Sequence, residues 1–311
     1  MTSTVDEKPA TGAPPARPRR RRGPGVGAGE GALSLLNGTF LLFWGLITTL
    51  PLLWAMISAF KTNTEFLGDP WTLPDTFRFE NFERAWTVAN IGQYFVNSVI
   101  VVVISVPLTM LLGAMAAYVL ARYDFPGNRL IYFGFVGGLI FPVFLALVPL
   151  FFVVRNLGTL PLVGTALGLN SHLSLALVYV AFSMPFTVFF LTAFFRTQPT
   201  SIAEAAIVDG CSHWGLFFRV MLPMARPGLI SIGLFNVLGH WNQYVLPVVL
   251  MNEPDKKVLA QGLAALAISQ GYRGDWTALF AGLVIALLPV LIVYVLFQKQ
   301  VQAGLTAGVL K

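Results

Sequence analysis

Residues 200–228 read TSIAEAAIVDGCSHWGLFFRVMLPMARPG, and they form the longest polar-bearing interruption between hydrophobic segments in the second half of the chain. Hydrophobic residues make up 56% of the 311 positions and charged residues only 11%. A soluble domain carries about 25% charged residues. The sequence therefore predicts an all-α membrane protein, in which this stretch is a structured connection between two membrane spans.

Charge-free runs predict six transmembrane helices. Each run supplies the roughly 20 apolar residues that a helix needs to cross the hydrocarbon core. The predicted spans lie near residues 35–60, 95–121, 130–154, 174–195, 227–250 and 276–298. Small residues four positions apart, which let helices approach closely, occur at Gly113 with Ala117 and at Gly134 with Gly138. The prolines expected to kink or interrupt spans are Pro107, Pro142, Pro149, Pro185 and Pro289.

Residues 1–30 are rich in Pro, Gly, Ala and Arg, and we interpret them as a disordered basic cytoplasmic tail before a transmembrane domain at 31–311. The rival interpretation, a cleaved signal peptide, is disfavoured because the following apolar stretch is too long. Six of the 20 Lys and Arg lie in the first 22 residues, which indicates a membrane surface and no nucleic-acid partner. With both termini cytoplasmic, 13 of the 20 lie inside, so residues 200–228 are predicted to be cytoplasmic.

Several kinds of chemistry are missing from the sequence. The six predicted spans contain no Asp, Glu, Lys or Arg, which disfavours an ion-coupled carrier. There is no GxxxxGK[ST] phosphate loop, and the three histidines have no metal-ligand spacing. Cys211 is the single cysteine, which excludes an intrachain disulfide. The sequence therefore predicts no catalytic residue, metal site or cofactor on this chain, and it disfavours a membrane enzyme; an assembly factor without a transport role is a further alternative.

Polar residues at membrane depth are concentrated in the predicted fifth span. Asn236, His240 and Gln243 follow i, i+4, i+7 spacing and share one helix face, and Trp241, Asn242 and Tyr244 lie beside them. These six residues are candidates for the lining of a polar solute's path. They also suit polar contacts between helices, or an aromatic belt at the membrane interface.

The quoted stretch has the pattern of two short helices. Ser201 and Glu204 have the spacing of a capping box, Gly210 is placed to end the first helix, and Ser212 can cap a second. Pro223 is expected to stop the second helix. The shared apolar face of that helix consists of Trp214, Phe217, Phe218 and Met221. The pattern is typical of a loop on the bilayer surface or of a docking element for a cytoplasmic protein.

Glu204-Ala205-Ala206, followed at fixed spacings by Gly210, Val220 and Leu222-Pro223, resembles the EAA motif of ABC importer permeases. The MalG-like permeases for carbohydrate uptake are similar in further positions. These positions are Asn97-Ser98, Ala121-Arg122, Phe125-Pro126-Gly127 and the end Gly304-Leu305-Thr306-Ala307-Gly308. The resemblance covers about residues 35–311.

The resemblance implies a sugar or oligosaccharide importer in a bacterial plasma membrane. A separate ATPase dimer, which holds ATP and Mg, would receive the EAA loop, and a MalF-like second permease would complete the pore. An extracytoplasmic binding protein would deliver the sugar. The coupling residues would be Glu204, Ala205, Ala206, Asp209, Gly210, Leu222 and Pro223, and the tail residues 304–308 would approach the ATPase. An importer for a non-sugar solute is the alternative.

Overall fold

The computed structural model describes residues 28–307, and within that range it contains helices and no strand. The chain divides into two compact units, residues 1–52 and residues 53–311. The first helix, α1 (Ala28–Ser58), runs across this division. Residues 28–30, predicted to belong to a disordered tail, are therefore helical, and the predicted tail at 1–27 lies outside the described residues.

The second unit carries the remaining helices, which vary from three to 32 residues in length. In chain order they are α2 (Asn63–Gly68), α3 (Glu80–Thr87), α4 (Ile91–Arg122), α5 (Asn128–Ile140), α6 (Val143–Leu157), α7 (Gly164–Leu167), α8 (His172–Thr197), α9 (Thr200–Val208), α10 (His213–Gly215), α11 (Leu222–Met224), α12 (Arg226–Trp241), α13 (Val245–Leu250), α14 (Leu259–Arg273) and α15 (Trp276–Ala307).

Four helices are long and apolar enough to cross a membrane. They comprise residues Leu33–Ser58 of α1, all of α4 and α8, and Trp276–Gln298 of α15. These four correspond to the predicted first, second, fourth and sixth spans. Four of the prolines expected to kink or interrupt spans lie inside continuous helices. They are Pro107 in α4, Pro149 in α6, Pro185 in α8 and Pro289 in α15.

The predicted third span, 130–154, is not one straight helix. It consists of α5 and α6, which are bent by 104° relative to each other. The break falls at Phe141 and Pro142, which both have extended backbones. Proline lacks an N–H donor and disfavours the helical conformation in the residue before it, so the helix ends here.

The predicted fifth span, 227–250, is also interrupted, since α12 ends at Trp241 and α13 begins at Val245. The Gln243 side-chain oxygen accepts hydrogen bonds from the backbone N–H groups of Tyr244 (3.1 Å) and Val245 (3.3 Å). A side chain thus supplies the acceptor that the helix ladder would otherwise provide. One of the polar residues that indicated a solute path, Gln243, therefore lies in the break and bonds to its backbone.

Helices α4 and α8 pack closely along their length. Gly113 of α4 faces Thr187 of α8, and a Cβ added at Gly113 would lie 2.5 Å from Thr187 Cγ2. Ala117, one turn further along α4, is fully buried. The small-residue spacing at these positions is therefore part of the α4–α8 contact. In the second pair, Gly134 and Gly138, only Gly138 lies in a helix contact. A Cβ added at Gly138 would meet Pro185, whereas a Cβ added at Gly134 would meet no described atom.

The loops near the start of α4 are held by hydrogen bonds from side chains to backbone carbonyls. Lys61 is fully buried, and its Nζ donates to the carbonyl oxygen of Pro70 at 2.9 Å. Asn81 Nδ2 donates to the carbonyl oxygens of Ala59 and Lys61, each at 2.8 Å. Asn97 Nδ2 donates to Lys257 O at 2.8 Å, which ties α4 to the segment before α14. This end of the second unit is therefore rigidly organised.

The Gly113 contact predicts opposite effects for two glycine substitutions in helices. Gly113→Ala should destabilise the protein, because the new methyl group collides with Thr187 and overpacking costs about 1–3 kcal/mol. Gly134→Ala should be neutral or stabilising, since no atom is near and alanine favours the helix by roughly 1 kcal/mol. Thermal unfolding of the two purified variants in detergent measures the difference, and equal midpoints would contradict the packing argument.

Candidate coupling surface and translocation cavity

Residues 200–225 form two helical parts separated by a glycine turn. Gly210 has a φ of +82°, a conformation that favours glycine because it has no side chain. The Cys211 N–H donates to the Ala206 carbonyl at 2.9 Å and closes the end of α9. The Ser212 side chain accepts from the Gly215 N–H at 3.2 Å and caps the following helix. The glycine break and the serine cap predicted from the sequence are both present.

The start of α9 differs from the prediction. The helix begins at Thr200, and its N-cap is Pro199, which has φ of −60° and an extended ψ. No side chain forms a cap hydrogen bond there, so the predicted capping box of Ser201 and Glu204 is wrong. The proline already sets the backbone for helix entry, which places Ser201 inside the first turn and leaves Glu204 available to other partners.

Pro223 does not stop the second helix. Residues Leu216–Met221 form a π-helical turn, and the Leu222 N–H donates to Phe217 O, five residues earlier. The wider turn accommodates Pro223, which has no N–H to offer. The helix continues through α11, and at Ala225 the chain bends by 77° into α12.

The apolar face predicted for the second helix is divided by this π-helical turn. Phe217 and Met221 are buried, and they pack in one core with Tyr118 of α4 and Phe195 of α8. Trp214 and Phe218 stack on each other and remain 65% and 43% exposed. Ala203 and Ala206 of α9 contact the same core. The first helix is therefore attached to the transmembrane helices through the second.

The opposite side of α9 is exposed and carries both acidic and apolar groups. Glu204, Ala205 and Asp209 are exposed, Ile207 is half exposed, and Val208 is 86% exposed. We call this set the coupling surface. Within the described residues, neither acid forms an ion pair. Of the remaining motif residues, Ala206 and Leu222 pack inward, and Pro223 is exposed.

A second feature is a cavity of about 350 Å³ between α8, α12 and the start of α6. Asn236 and His240 line it from one face of α12, as predicted, and Gln243, which lies beyond the end of that helix, lines it as well. The aromatic side chains of Tyr179, Phe182, Phe186 and Phe235 line the same space. The cavity therefore combines hydrogen-bonding groups with aromatic walls, an arrangement typical of sites for small polar molecules.

Both ring nitrogens of His240 in the cavity lie within hydrogen-bond distance of a serine hydroxyl. Its Nδ1 lies 2.7 Å from Ser105 Oγ of α4, and its Nε2 lies 2.7 Å from Ser183 Oγ of α8. Asn236 Nδ2 donates to Thr187 Oγ1 of α8 at 3.0 Å. These bonds fix the polar face of α12 against two neighbouring helices. The polar contacts between helices that the sequence allowed are therefore present, and the solute path stays a prediction.

Tyr179 is a lining residue that sequence reasoning missed. Its side chain is almost fully buried, its ring lies 5.1 Å from the His240 ring, and its hydroxyl has no hydrogen-bond partner among the residues that the structure describes. Ser105 and Ser183 were missed as well. The sequence signal for these three residues was a hydroxyl group inside a charge-free span. Hydroxyl groups are common in spans, and only the packing of the helices shows which of them lie beside His240.

The other three path candidates lie elsewhere. Trp241 is buried, and its Nε1 donates to Ala286 O of α15 at 3.1 Å. Trp241 and Asn242 line a separate cavity of about 250 Å³ beside α14 and α15. Tyr244 is 42% exposed and lines neither cavity. Neighbours in sequence to His240 therefore point away from its cavity.

The carboxy-terminal tail that was predicted to approach the ATPase, residues 304–308, is helical at its start. Helix α15 continues through Ala307 and includes Gly304, Leu305 and Thr306, whereas Gly308 lies outside the described residues. Among the residues that the structure describes, no group of three or more His, Cys, Asp or Glu is arranged to hold a metal ion.

The helical architecture and the EAA motif at residues 204–206 agree with a permease of the ABC importer class. The chain matches the model of the family described as the binding-protein-dependent transport system inner membrane component, over residues 109–306. It belongs to this family and is a multi-pass membrane protein.

Similar proteins agree with this assignment. The chain is 52% identical to the diacetylchitobiose uptake system permease protein NgcG of Streptomyces coelicolor, over 88% of this chain and 87% of the relative. It is 32% identical to the arabinooligosaccharides transport system permease protein AraQ of Halalkalibacterium halodurans, over 90% and 97%. A solved structure of a bacterial ABC transporter involved in alginate import shares the fold, with a TM-score of 0.72 at 21% identity, covering 89% and 99%.

The positive φ of Gly210 predicts a clear difference between two substitutions. Gly210→Ala should loosen the turn after α9, since a left-handed conformation costs a residue with a side chain about 1–2 kcal/mol. Gly210→Asn should be tolerated better, because asparagine adopts this conformation more readily. Limited proteolysis of residues 200–225 measures the effect. Equal cleavage rates in the two variants and the unsubstituted protein would contradict the argument.

Proposed function

We propose that this chain is a membrane subunit of a bacterial ABC importer for a sugar or oligosaccharide. Its partners are a separate ATPase dimer, which carries ATP and Mg, a MalF-like second permease and an extracytoplasmic sugar-binding protein. Both termini and the coupling surface face the cytoplasm. The end of α15 and the residues after it, Gly304 to Gly308, approach the ATPase. The chain itself supplies the solute path and hydrolyses nothing.

The observation that carries this proposal is the attachment of the coupling surface to the cavity. Ala203 and Ala206 hold α9 against the core that contains Phe217 and Met221. From Met221 the chain continues through α11 and turns at Ala225 into α12. Helix α12 carries Asn236 and His240 of the cavity. A displacement of α9 is therefore transmitted to the cavity through a few packed helices.

This arrangement suits a conformational change that another subunit drives. A ligand shifts a conformational equilibrium only by contacting its two states differently. The coupling surface is exposed and therefore accessible to the ATPase, whose own shape depends on ATP. Glu204 and Asp209 would pair with basic groups of the ATPase, and Ile207 and Val208 would enter an apolar cleft. The helices on both sides of the bend at Ala225 are packed against α4 and α8, so they would move as one body with those helices.

Sugar as the substrate class rests on the cavity and on the relatives. Aromatic rings pack against the apolar faces of sugar rings, and the serine, asparagine and histidine groups suit their hydroxyls. The similar permeases named above belong to uptake systems for diacetylchitobiose and arabinooligosaccharides. An importer for a different polar solute is the alternative, which a screen of substrates with the cognate binding protein would distinguish.

Glu204→Lys tests the coupling role. The substitution should weaken assembly with the ATPase or uncouple ATP hydrolysis from uptake, because it replaces an exposed negative charge by a positive one at the docking surface. Pull-down of the ATPase and uptake of labelled sugar measure the two effects. Glu83→Lys is the matched control, since Glu83 is also an exposed acid without an ion pair among the described residues, and it lies in α3, near the start of α4. Normal assembly and uptake in Glu204→Lys would rule out the coupling role.

His240→Ala tests the cavity. The substitution removes the partner of both Ser105 and Ser183, which destabilises the cavity wall. It also removes a polar group from the path, and loss of one hydrogen bond to the solute, about 1.4 kcal/mol, should lower uptake roughly tenfold. Substrate-stimulated ATPase activity of the whole complex should fall with it, while binding of the ATPase stays unchanged. Tyr244→Phe, outside the cavity, is the control. Unchanged uptake in His240→Ala would remove the best candidate for the path.

A further inference from the structure

An open cavity of about 840 Å³ lies where the α4–α5 connection meets the end of α8. Two arginines line it, Arg129 from the first turn of α5 and Arg196 from the last turn of α8. Both are exposed, and neither guanidinium pairs with a carboxylate among the described residues. Two unpaired arginines in one cavity form a site for an anion, because guanidinium groups bind phosphate with directed hydrogen bonds.

The residues around the two arginines favour a phosphate group that carries a hydrocarbon chain. Arg196 lies over the ring of Tyr132 in α5, at 5.2 Å from the ring centre. Below Arg129 on the same helix, Leu130 is 79% and Phe133 is 63% exposed. Both arginines therefore occupy the ends of apolar helices, at the level where a membrane changes from headgroups to acyl chains. Basic pockets between transmembrane helices at this level bind anionic lipid headgroups.

We propose that this cavity binds an anionic phospholipid. The phosphate lies between Arg129 and Arg196, and an acyl chain follows the exposed apolar side of α5. The first backbone N–H groups of α5 add donors on the same side, since Gly127, its N-cap, supplies no side-chain cap. Asp124 also lines the cavity; its carboxylate repels a second phosphate and accepts a hydrogen bond from a hydroxyl-bearing headgroup such as glycerol.

The test uses the full chain in its purified transporter complex, after delipidation in detergent. Equal amounts of phosphatidylglycerol and phosphatidylcholine are added, and retained lipids are counted by native mass spectrometry. The unsubstituted complex should retain phosphatidylglycerol preferentially. The double variant Arg129→Gln with Arg196→Gln should bind it roughly tenfold or more weakly, since both cationic groups that attract the phosphate are lost. Added salt should weaken the binding in the same direction.

Arg155→Gln is the matched control. Arg155 also ends an apolar helix, α6, and lies 5.9 Å over a ring, that of Phe152, but it does not line this cavity. This variant should retain phosphatidylglycerol as the unsubstituted complex does. Arg129→Lys with Arg196→Lys should keep most of the binding, which separates loss of charge from loss of folding.

Two outcomes would overturn the proposal. The first is equal retention of phosphatidylglycerol by the glutamine double variant and the unsubstituted complex. The second is displacement of the lipid by millimolar glycerol phosphate as effectively as by lipid, which would show a site for free phosphates. Neither measurement involves sugar uptake or ATP hydrolysis, so failure here is distinguishable from failure of the proposed transport function.

Discussion

The close approach of α4 and α8 at Gly113 is the constraint on which the site depends. Because glycine has no side chain, Thr187 reaches the backbone of α4, and from that position its hydroxyl accepts the hydrogen bond of Asn236 on α12. His240, one turn later, bonds to α4 and α8 through Ser105 and Ser183. Three helices are thus locked together by one steric fit and three hydrogen bonds, all in an apolar surrounding where unpaired polar groups are costly.

The same two helices hold the coupling surface at their far end. Tyr118 of α4 and Phe195 of α8 enclose Phe217 and Met221, against which α9 rests. The polar cavity and the exposed acidic helix therefore share one scaffold, and α12 joins them along the chain. In the proposed transport cycle, α9, the scaffold and α12 move together, because the helices on both sides of the bend at Ala225 are packed on α4 and α8.

The sequence predicted the membrane class, four of the spans and the glycine break in 200–228, because hydropathy, charge and a left-handed turn are local properties. The shared face of Asn236 and His240 also followed from helix periodicity, whereas Gln243 lies beyond the end of α12. The interruption at Pro142 was predicted, but a hydrophobic run does not show that Pro142 ends a helix while Pro185 leaves one intact. The break within 227–250 was missed. The capping box was wrong because Pro199 sets the helix start. Tyr179 and the two serines depend on which helices meet, which periodicity cannot show.

The central claim is that α9 docks on an ATPase. Cysteine crosslinking tests it most directly, because Cys211 is the single cysteine and can be replaced by serine. In that background, Ala205→Cys on α9 and Thr72→Cys, an exposed position near the start of α4, are crosslinked in membranes that contain the whole transporter. The account predicts that Ala205→Cys joins the chain to the ATPase and that the yield changes with ATP. An ATPase adduct at Thr72→Cys and none at Ala205→Cys would contradict it.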